Sequence, residues 1–375
     1  MTTRATLRLA TRGSDLALRQ AATVRDSLSG RRQDVNLVEV ETRGDQIRDE
    51  LIHRLGKTGA FVRALDEKIL GREVDAAVHS MKDMPTEGPD ELVVSGVPER
   101  ESAADLLLTP DGATLEDLPQ GAVVGTSSLR RKAQLLAERP DLEVEPLRGN
   151  VDTRVEKLLA PGLQAEHQRR IEADREEEIE DSDDAGESDG DDPESDLDFE
   201  QSTEEWFDGL AEIERRALER DLDTEYDAIV LAEAGLRRAG LLHHVEYVHL
   251  DPASFVPAPG QGAIAVTSRA DGDVSETIRS AIDHPRTRVE TTVERTVLAE
   301  LGGGCIAPIG VHAKLQGEYV HTTARILSGD GEEEVAATHD IPVADHANEA
   351  AAFAADLADE GADDLIAAAR KAAEE

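Results

Sequence analysis

Asp75-Ala76-Ala77-Val78-His79-Ser80-Met81-Lys82-Asp83-Met84-Pro85 decides the fold class of this chain. The apolar part is short and made of small residues, too short to alternate a dry face with a wet one. Such a run is expected as a central, parallel strand covered on both faces. Ligands of open α/β sheets gather beyond the carboxyl ends of the strands, so the polar group at 80–85 stands where chemistry is expected. The plainer alternative is a solvated Lys-Asp pair on a turn.

Working outward, residues 7–11 read as a strand, 12–14 as a turn and 15–28 as an amphipathic helix, which makes a βα unit. A second strand at 35–41 ends in Thr42-Arg43-Gly44-Asp45. Gly56-Lys57-Thr58-Gly59 opens a helix at 60–70 that carries Phe61 near its start. A phosphate-binding loop is disfavoured there, because its first glycine would fall on Leu51. A strand at 92–97 follows, and near Pro98-Glu99-Arg100 the pattern restarts as a second domain.

Residues 121–125 read as a strand and Thr126-Ser127-Ser128 as the hydroxyl-rich start of a helix at 129–139. Free amides and three hydroxyls there form an anion seat. Arg130 and Arg131 in the first turn oppose the helix dipole, so a bound anion explains them better than helix stability does. A short strand leads to Arg148-Gly149-Asn150 and a helix from 151 that includes Arg154. The segment 161–223 breaks the pattern. Its heart, 176–200, is almost wholly Asp, Glu, Ser and Gly, and is expected to be a disordered acidic insertion, with 206–218 as an amphipathic surface helix. A strand at 226–232 and a helix at 234–241 with Arg237 and Arg238 resume the domain. Pro257-Ala258-Pro259-Gly260-Gln261-Gly262 reads as a hinge into a strand at 263–267 that returns to the first sheet. A helix at 286–300, antiparallel strands at 309–314 and 319–327 and an alanine-rich helical tail at 347–373 make a small α+β domain.

The expected architecture is therefore α/β: a first domain of 1–99 plus 263–282, a second of 100–258 and a third of 285–375. Of 375 residues, 81 are Asp or Glu and 40 Lys or Arg, giving a formal charge of −41. That charge argues against nucleic acid and anionic membrane as partners and suggests a surface adapted to high salt. No stretch is apolar enough to span a bilayer and no signal-peptide core follows Met1, so a cytoplasmic protein is expected. The single cysteine, Cys305, cannot form an internal disulfide, and its neighbours do not support a metal cluster. It lies in Gly302-Gly303-Gly304-Cys305-Ile306-Ala307-Pro308-Ile309-Gly310, where either a small buried hydrophobe or a thiol approached by something bulky is expected. Arg12, Arg43, Arg130, Arg131, Arg148, Arg154 and Arg238 all fall at strand ends or helix starts. That placement suggests a pocket for several carboxylates or phosphates. Two readings follow: a two-lobed protein that closes on an anion without catalysis, or an enzyme of a polycarboxylated substrate that uses Asp83 and Cys305.

The stretches A-T-R-G-S-D-L-A-L-R-Q (10–20), T-R-G-D (42–45), A-V-H-S-M-K-D-M-P (77–85), V-G-T-S-S-L-R-R (124–131), L-R-G-N-V-D-T-R (147–154), Y-D-A-I-V-L-A-E-A-G-L-R-R (226–238), P-G-Q-G-A (259–263) and G-G-G-C-I-A-P-I-G (302–310) resemble, in order, the hydroxymethylbilane synthase (porphobilinogen deaminase) family. The resemblance favours the enzyme. It implies two domains like type II periplasmic binding proteins and a third that carries the cysteine, in a monomeric protein. It implies a dipyrromethane cofactor held through a thioether to Cys305, on which four porphobilinogen molecules are joined head to tail with loss of ammonia. By matching position, Asp83 is the catalytic carboxylate, and Lys82 beside it is expected to favour its ionised form. Ser80, Lys82, Thr126, Ser128, Arg130, Arg131 and Phe61 match positions around the cofactor. Arg12, Ser14, Arg148, Arg154 and Arg238 match positions that hold substrate. The glycine-lysine-glycine pattern of the family is shifted at 54–59, which leaves Arg54 and Lys57 as alternatives for its loop cation. No metal is implied.

Overall fold

A computed structural model describes residues 5–30, 33–40, 60–180, 199, 201–302, 304 and 307–374. Its first sheet holds β1 (Ala5–Arg12), β2 (Gln33–Val40), β3 (Ala76–Ser80), β4 (Leu92–Gly96) and β10 (Ile264–Arg269), in the order β2-β1-β3-β10-β4. The short strand β3 sits at the centre. It runs parallel to β1 but antiparallel to β10, so its setting is parallel on one side only. Ala76, Ala77, Val78 and His79 are buried, which is why the strand could dispense with alternation.

The second sheet repeats this plan with β5 (Asp105–Thr109), β6 (Val123–Gly125), β7 (Glu143–Glu145), β8 (Ala228–Ala232) and β9 (Glu246–His249), in the order β7-β6-β8-β5-β9. In each sheet three parallel strands are followed by one antiparallel strand, β10 in the first and β5 in the second. The chain therefore crosses between lobes twice, after β4 and before β10. A third sheet, β11 (Ile309–Gln316), β12 (Tyr319–Leu327) and β13 (Glu334–Pro342), is an antiparallel meander. Its apolar face shares a core with Val293, Val297 and Leu301 of one helix and Phe353 and Leu357 of another.

Helices α1 (Asp15–Leu28) and α2 (Ala60–Leu70) flank the first sheet, and α3 (Leu129–Glu138) follows β6. Ser14 caps α1 by accepting from the Ala17 amide at 3.4 Å, which explains why the helix starts where the sequence suggested. In the second lobe, α4 (Val151–Glu180) runs on through Pro161 into the segment where the sequence pattern breaks, and 176–180 are helical where the start of a disordered acidic stretch was expected. Leu158 and Ala160 are buried, and Gln164 donates to the carbonyls of Leu218 and Arg220, so packing outweighs the hydrogen bond lost at the proline. Downstream, α5 (Thr203–Gly209) and α6 (Glu212–Leu218) replace the single surface helix expected there, and Ile213 and Ala217 are buried. The segment 161–223 is thus joined to the second lobe over its described parts, while 181–198 and 200 lie outside the described residues. The remaining helices are α7 (Glu233–Ala239), α8 (Asp273–Ile282), α9 (Pro285–Leu301), α10 (His346–Leu357) and α11 (Asp363–Glu374). The alanine-rich tail breaks between the last two, where Gly361 takes φ 108°. No described helix is long and apolar enough to cross a membrane.

One buried acid in α2 gives a pH prediction. Asp66 is 9 % exposed, and burial pushes its carboxyl up from 3.8 to about 6. The folded state then binds more protons than the unfolded chain between these values, so this group's contribution to stability is lost as pH rises through that window. Asp66→Asn is expected to stabilise the fold above pH 6 by on the order of 1–3 kcal/mol and to give no gain near pH 3.5. Denaturant midpoints at the two pH values test this; equal gains at both would contradict it.

Candidate active site

The carboxyl ends of β1, β3, β6 and β7 lead into many of the side chains singled out in the sequence, whereas Arg238, expected at a strand end or helix start, lies in the last turn of α7. β1 ends on Arg12, and Ser14 caps the helix that follows. β3 ends on Ser80 and passes directly into a 3-10 turn, Met81–Asp83, which leaves Asp83 exposed and Lys82 half-buried. β6 is followed by Thr126, whose Oγ1 accepts from the Ser128 amide at 3.3 Å, and by Ser128, whose Oγ accepts from the Arg131 amide at 3.4 Å as the N-cap of α3. Both hydroxyls hold the helix start in shape. Arg148 is half-buried beyond β7, and Arg154 on α4 donates from Nε to the Gly149 carbonyl at 2.8 Å. Arg238 reaches from α7 to the Gly262 carbonyl at 2.7 Å, which places it at the lobe crossing.

Arg130 and Arg131 are 4 % and 5 % exposed, and they meet an anion that the chain itself supplies. Arg130 Nη2 donates to Asp105 Oδ2 at 2.7 Å, and Arg131 Nη2 donates to Asp105 Oδ1 at 2.7 Å. Arg131 Nε also donates to Asp105 Oδ1 at 3.1 Å, and Nη1 of each arginine donates to a backbone carbonyl, Val256 for Arg130 and Val230 for Arg131. Burial would raise the Asp105 carboxyl, yet the two guanidinium charges and their hydrogen bonds hold it well below the usual range. The helix-start cations are thus balanced first by a buried carboxylate.

The surrounding charges join the lobes. Burial lowers Lys82; Asp83 and Asp105 oppose that, whereas Arg131 and Arg130 reinforce it. Burial also brings Arg154 down to about 10, with Arg131 pushing the same way and Asp83 resisting. Asp83 and Lys82 of the first lobe therefore share a field with Arg130, Arg131, Arg154 and Asp105 of the second. Four cationic side chains in this group stand against two carboxylates. The Nε of Arg130 is buried without a hydrogen-bond partner among the described residues. Surplus cationic donors of this kind fit a group that carries several carboxylates.

Sequence reasoning missed the joint beneath this cluster. Gln261 is 1 % exposed; its Nε2 donates to Asp105 Oδ1 at 2.8 Å and to the Ala103 carbonyl at 2.7 Å. Arg100 forks onto Glu294 at 2.8 and 3.0 Å, and Glu294 also accepts from the amides of Gly260 and Ala313 at 2.7 and 2.9 Å. Gly260 and Gly262 both take positive φ, and a side chain at Gly262 would meet the Glu101 and Ser102 carbonyls at 2.5 and 2.6 Å. Only glycine permits that approach, and the P-G-Q-G stretch was the signal for it. Cys305, the loop 41–59 with Arg43, Arg54 and Lys57, and the side chain of Phe61 lie outside the described residues.

Two α/β lobes joined by a double crossing, with cationic side chains grouped near their strand ends and a third domain tied to the crossing by Glu294, define a two-lobed α/β protein with an appended α+β domain. Which such protein follows from comparison. A family model described as porphobilinogen deaminase, dipyromethane cofactor binding domain, matches residues 7–166 and 211–277, and one described as porphobilinogen deaminase, C-terminal domain, matches 289–360. A probable porphobilinogen deaminase of Halobacterium salinarum is 56% identical over 97% of this chain and 98% of that one. A probable porphobilinogen deaminase of Methanococcoides burtonii is 36% identical over 96% and 95%. A porphobilinogen deaminase of Oceanobacillus iheyensis is 36% identical over 86% and 84%. The chain belongs to the porphobilinogen deaminase family.

Proposed function

We propose that this chain is a hydroxymethylbilane synthase, joining four porphobilinogen molecules head to tail with loss of ammonia and releasing the linear tetrapyrrole by hydrolysis. The observation that carries the reading is the match of the cofactor-binding and C-terminal family models to 7–166, 211–277 and 289–360, and the grouping of Asp83 with Lys82, Arg131 and Arg154 agrees with it. A dipyrromethane held through Cys305 would supply an electron-rich pyrrole carbon. Arg130, Arg131, Thr126, Ser128, Lys82, Ser80 and Phe61 are assigned to hold it, and Arg12, Ser14, Arg148, Arg154 and Arg238 to hold the acetate and propionate groups of substrate and growing product. The planar guanidinium suits carboxylates because two parallel N–H groups match two oxygens.

Asp83 does the chemical work assigned to the protein. As ammonia leaves the aminomethyl carbon, positive charge develops on the substrate pyrrole, and a nearby carboxylate stabilises its N–H and takes part in moving protons. Each added unit brings more carboxylates into the cleft, which the surplus of cations there can meet. The alternative, a two-lobed anion binder without catalysis, requires no covalent group. Intact-protein mass spectrometry of the purified chain separates the two readings. An adduct of two pyrrole units, absent from Cys305→Ser, is expected; a bare mass in the unsubstituted chain would overturn the proposal.

A further inference from the structure

The turn that carries Asp83 is held from outside its own lobe. Arg295, on α9 of the third domain, donates from Nη1 to the carbonyls of Met81 and Met84, both at 3.2 Å, and from Nη2 to the carbonyl of Pro85 at 2.6 Å. These three acceptors flank Asp83 on both sides, and Asp83 itself remains exposed. The Met81 amide is fixed in turn to the Ala263 carbonyl at 3.0 Å. Gly260 lies against the other side of the turn, so closely that a Cβ there would stand 3.3 Å from the Lys82 amide nitrogen.

From this geometry we infer that Arg295 is a positioning residue for the reaction: its guanidinium sets the place of Asp83 by gripping the backbone on either side of it. This rests on the catalytic reading of Asp83 given above. A planar fork with fixed N–H directions defines the relative positions of three carbonyls, which a lysine ammonium on a flexible stem does not. The neighbouring Glu294 ties the same turn of α9 to Arg100, to Gly260 and to Ala313, so the fork projects from a fixed base. The same helix ends at Leu301, with Gly302 as its left-handed cap, and leads the chain to Cys305. Six residues separate Arg295 from that end, about 9 Å at the helical rise of about 1.5 Å per residue. One rigid element therefore holds the carboxylate turn at one point and launches the cysteine loop at the other. A loop displaced by about 1 Å can cost on the order of a hundredfold in rate without loss of binding, so fixing this turn matters to the chemistry.

The test is a double-mutant cycle of Arg295→Lys and Asp83→Asn in the full-length holoprotein, in molar potassium chloride, with rates normalised to the fraction of chains that carry the covalent adduct by mass. Arg295→Lys keeps the charge and removes the fork. It is expected to lower kcat by about tenfold to a hundredfold with KM for porphobilinogen changed less than about threefold. In the Asp83→Asn background the same substitution is expected to cost less than about twofold, because the group it positions is already gone. Equal losses in both backgrounds, or no loss in either, would overturn the positioning role. Near-normal turnover of Asp83→Asn alone would instead remove the catalytic reading on which it rests. Arg295→Gln is the second variant; if neither replacement yields a folded protein by melting and circular dichroism, Arg295 is a stability residue and the inference fails.

Discussion

Asp83→Asn is expected to keep the fold and to lower turnover by on the order of several hundredfold or more. The substitution is isosteric, and Asp83 is exposed at the end of its turn, so little packing is disturbed. What disappears is a negative charge within a field dominated by cations: Lys82 beside it, and Arg154 and Arg131 from the opposite lobe. Positive charge developing on a pyrrole in such surroundings is opposed by the four cations, and Asp105 is already committed to Arg130 and Arg131, which leaves Asp83 as the carboxylate of the group free of that pairing. An amide neither carries the compensating charge nor takes a proton, and losses of two to four powers of ten are typical when a positioned acid-base group is removed, roughly 3–5 kcal/mol of barrier. Single-turnover rates on folded, adduct-bearing protein give the measurement. A rate within about threefold of the unsubstituted chain would strip Asp83 of its role.

How much of this arrangement a sequence can disclose depends on the range of the forces involved. The helix Asp15–Leu28 was legible to its first residue because its start is written locally, in Ser14 and an acidic first turn. The central place of β3 was legible from its lack of alternation. The strand Asp105–Thr109 was not, because it begins with a buried carboxylate whose partners lie 25 and 26 residues further on. Without them Asp105 looks like a loop residue. For the same reason Arg130 and Arg131 suggested a bound anion alone, when a carboxylate of the chain is their first counter-charge. Residue 161 read as a boundary because the composition changes there, whereas the packing of Ile213 that carries the helix past it comes from fifty residues away. The rule that ligands gather at strand ends grouped the arginines by position but could not say which of them share a field with Asp83, since that depends on how the lobes meet. The grip of Arg295 on the Asp83 turn left no sequence signal at all, for its acceptors are backbone carbonyls.

The buried centre carries the second large expected effect. Asp105→Asn should destabilise the fold by about 3–5 kcal/mol, because it leaves two buried guanidiniums without their shared counter-charge. Arg130→Met should cost less. Asp105 would still accept from Arg131 at 2.7 Å and from Gln261 at 2.8 Å, and methionine replaces much of the lost volume. The order of the two losses follows from charge balance, one carboxylate serving two cations, and not from the number of hydrogen bonds removed. Salt sharpens the test. At about 1 M the screening length falls to about 3 Å, so exposed ion pairs on this acidic surface contribute little, while the Asp105 carboxylate is shielded from solvent ions by burial. The loss in Asp105→Asn should therefore change little between moderate and molar potassium chloride. Urea midpoints for both variants at two salt concentrations provide the comparison, and a loss in Arg130→Met equal to or larger than that in Asp105→Asn would refute the assignment of Asp105 as the common counter-charge that lets two cations stand buried beneath the cleft.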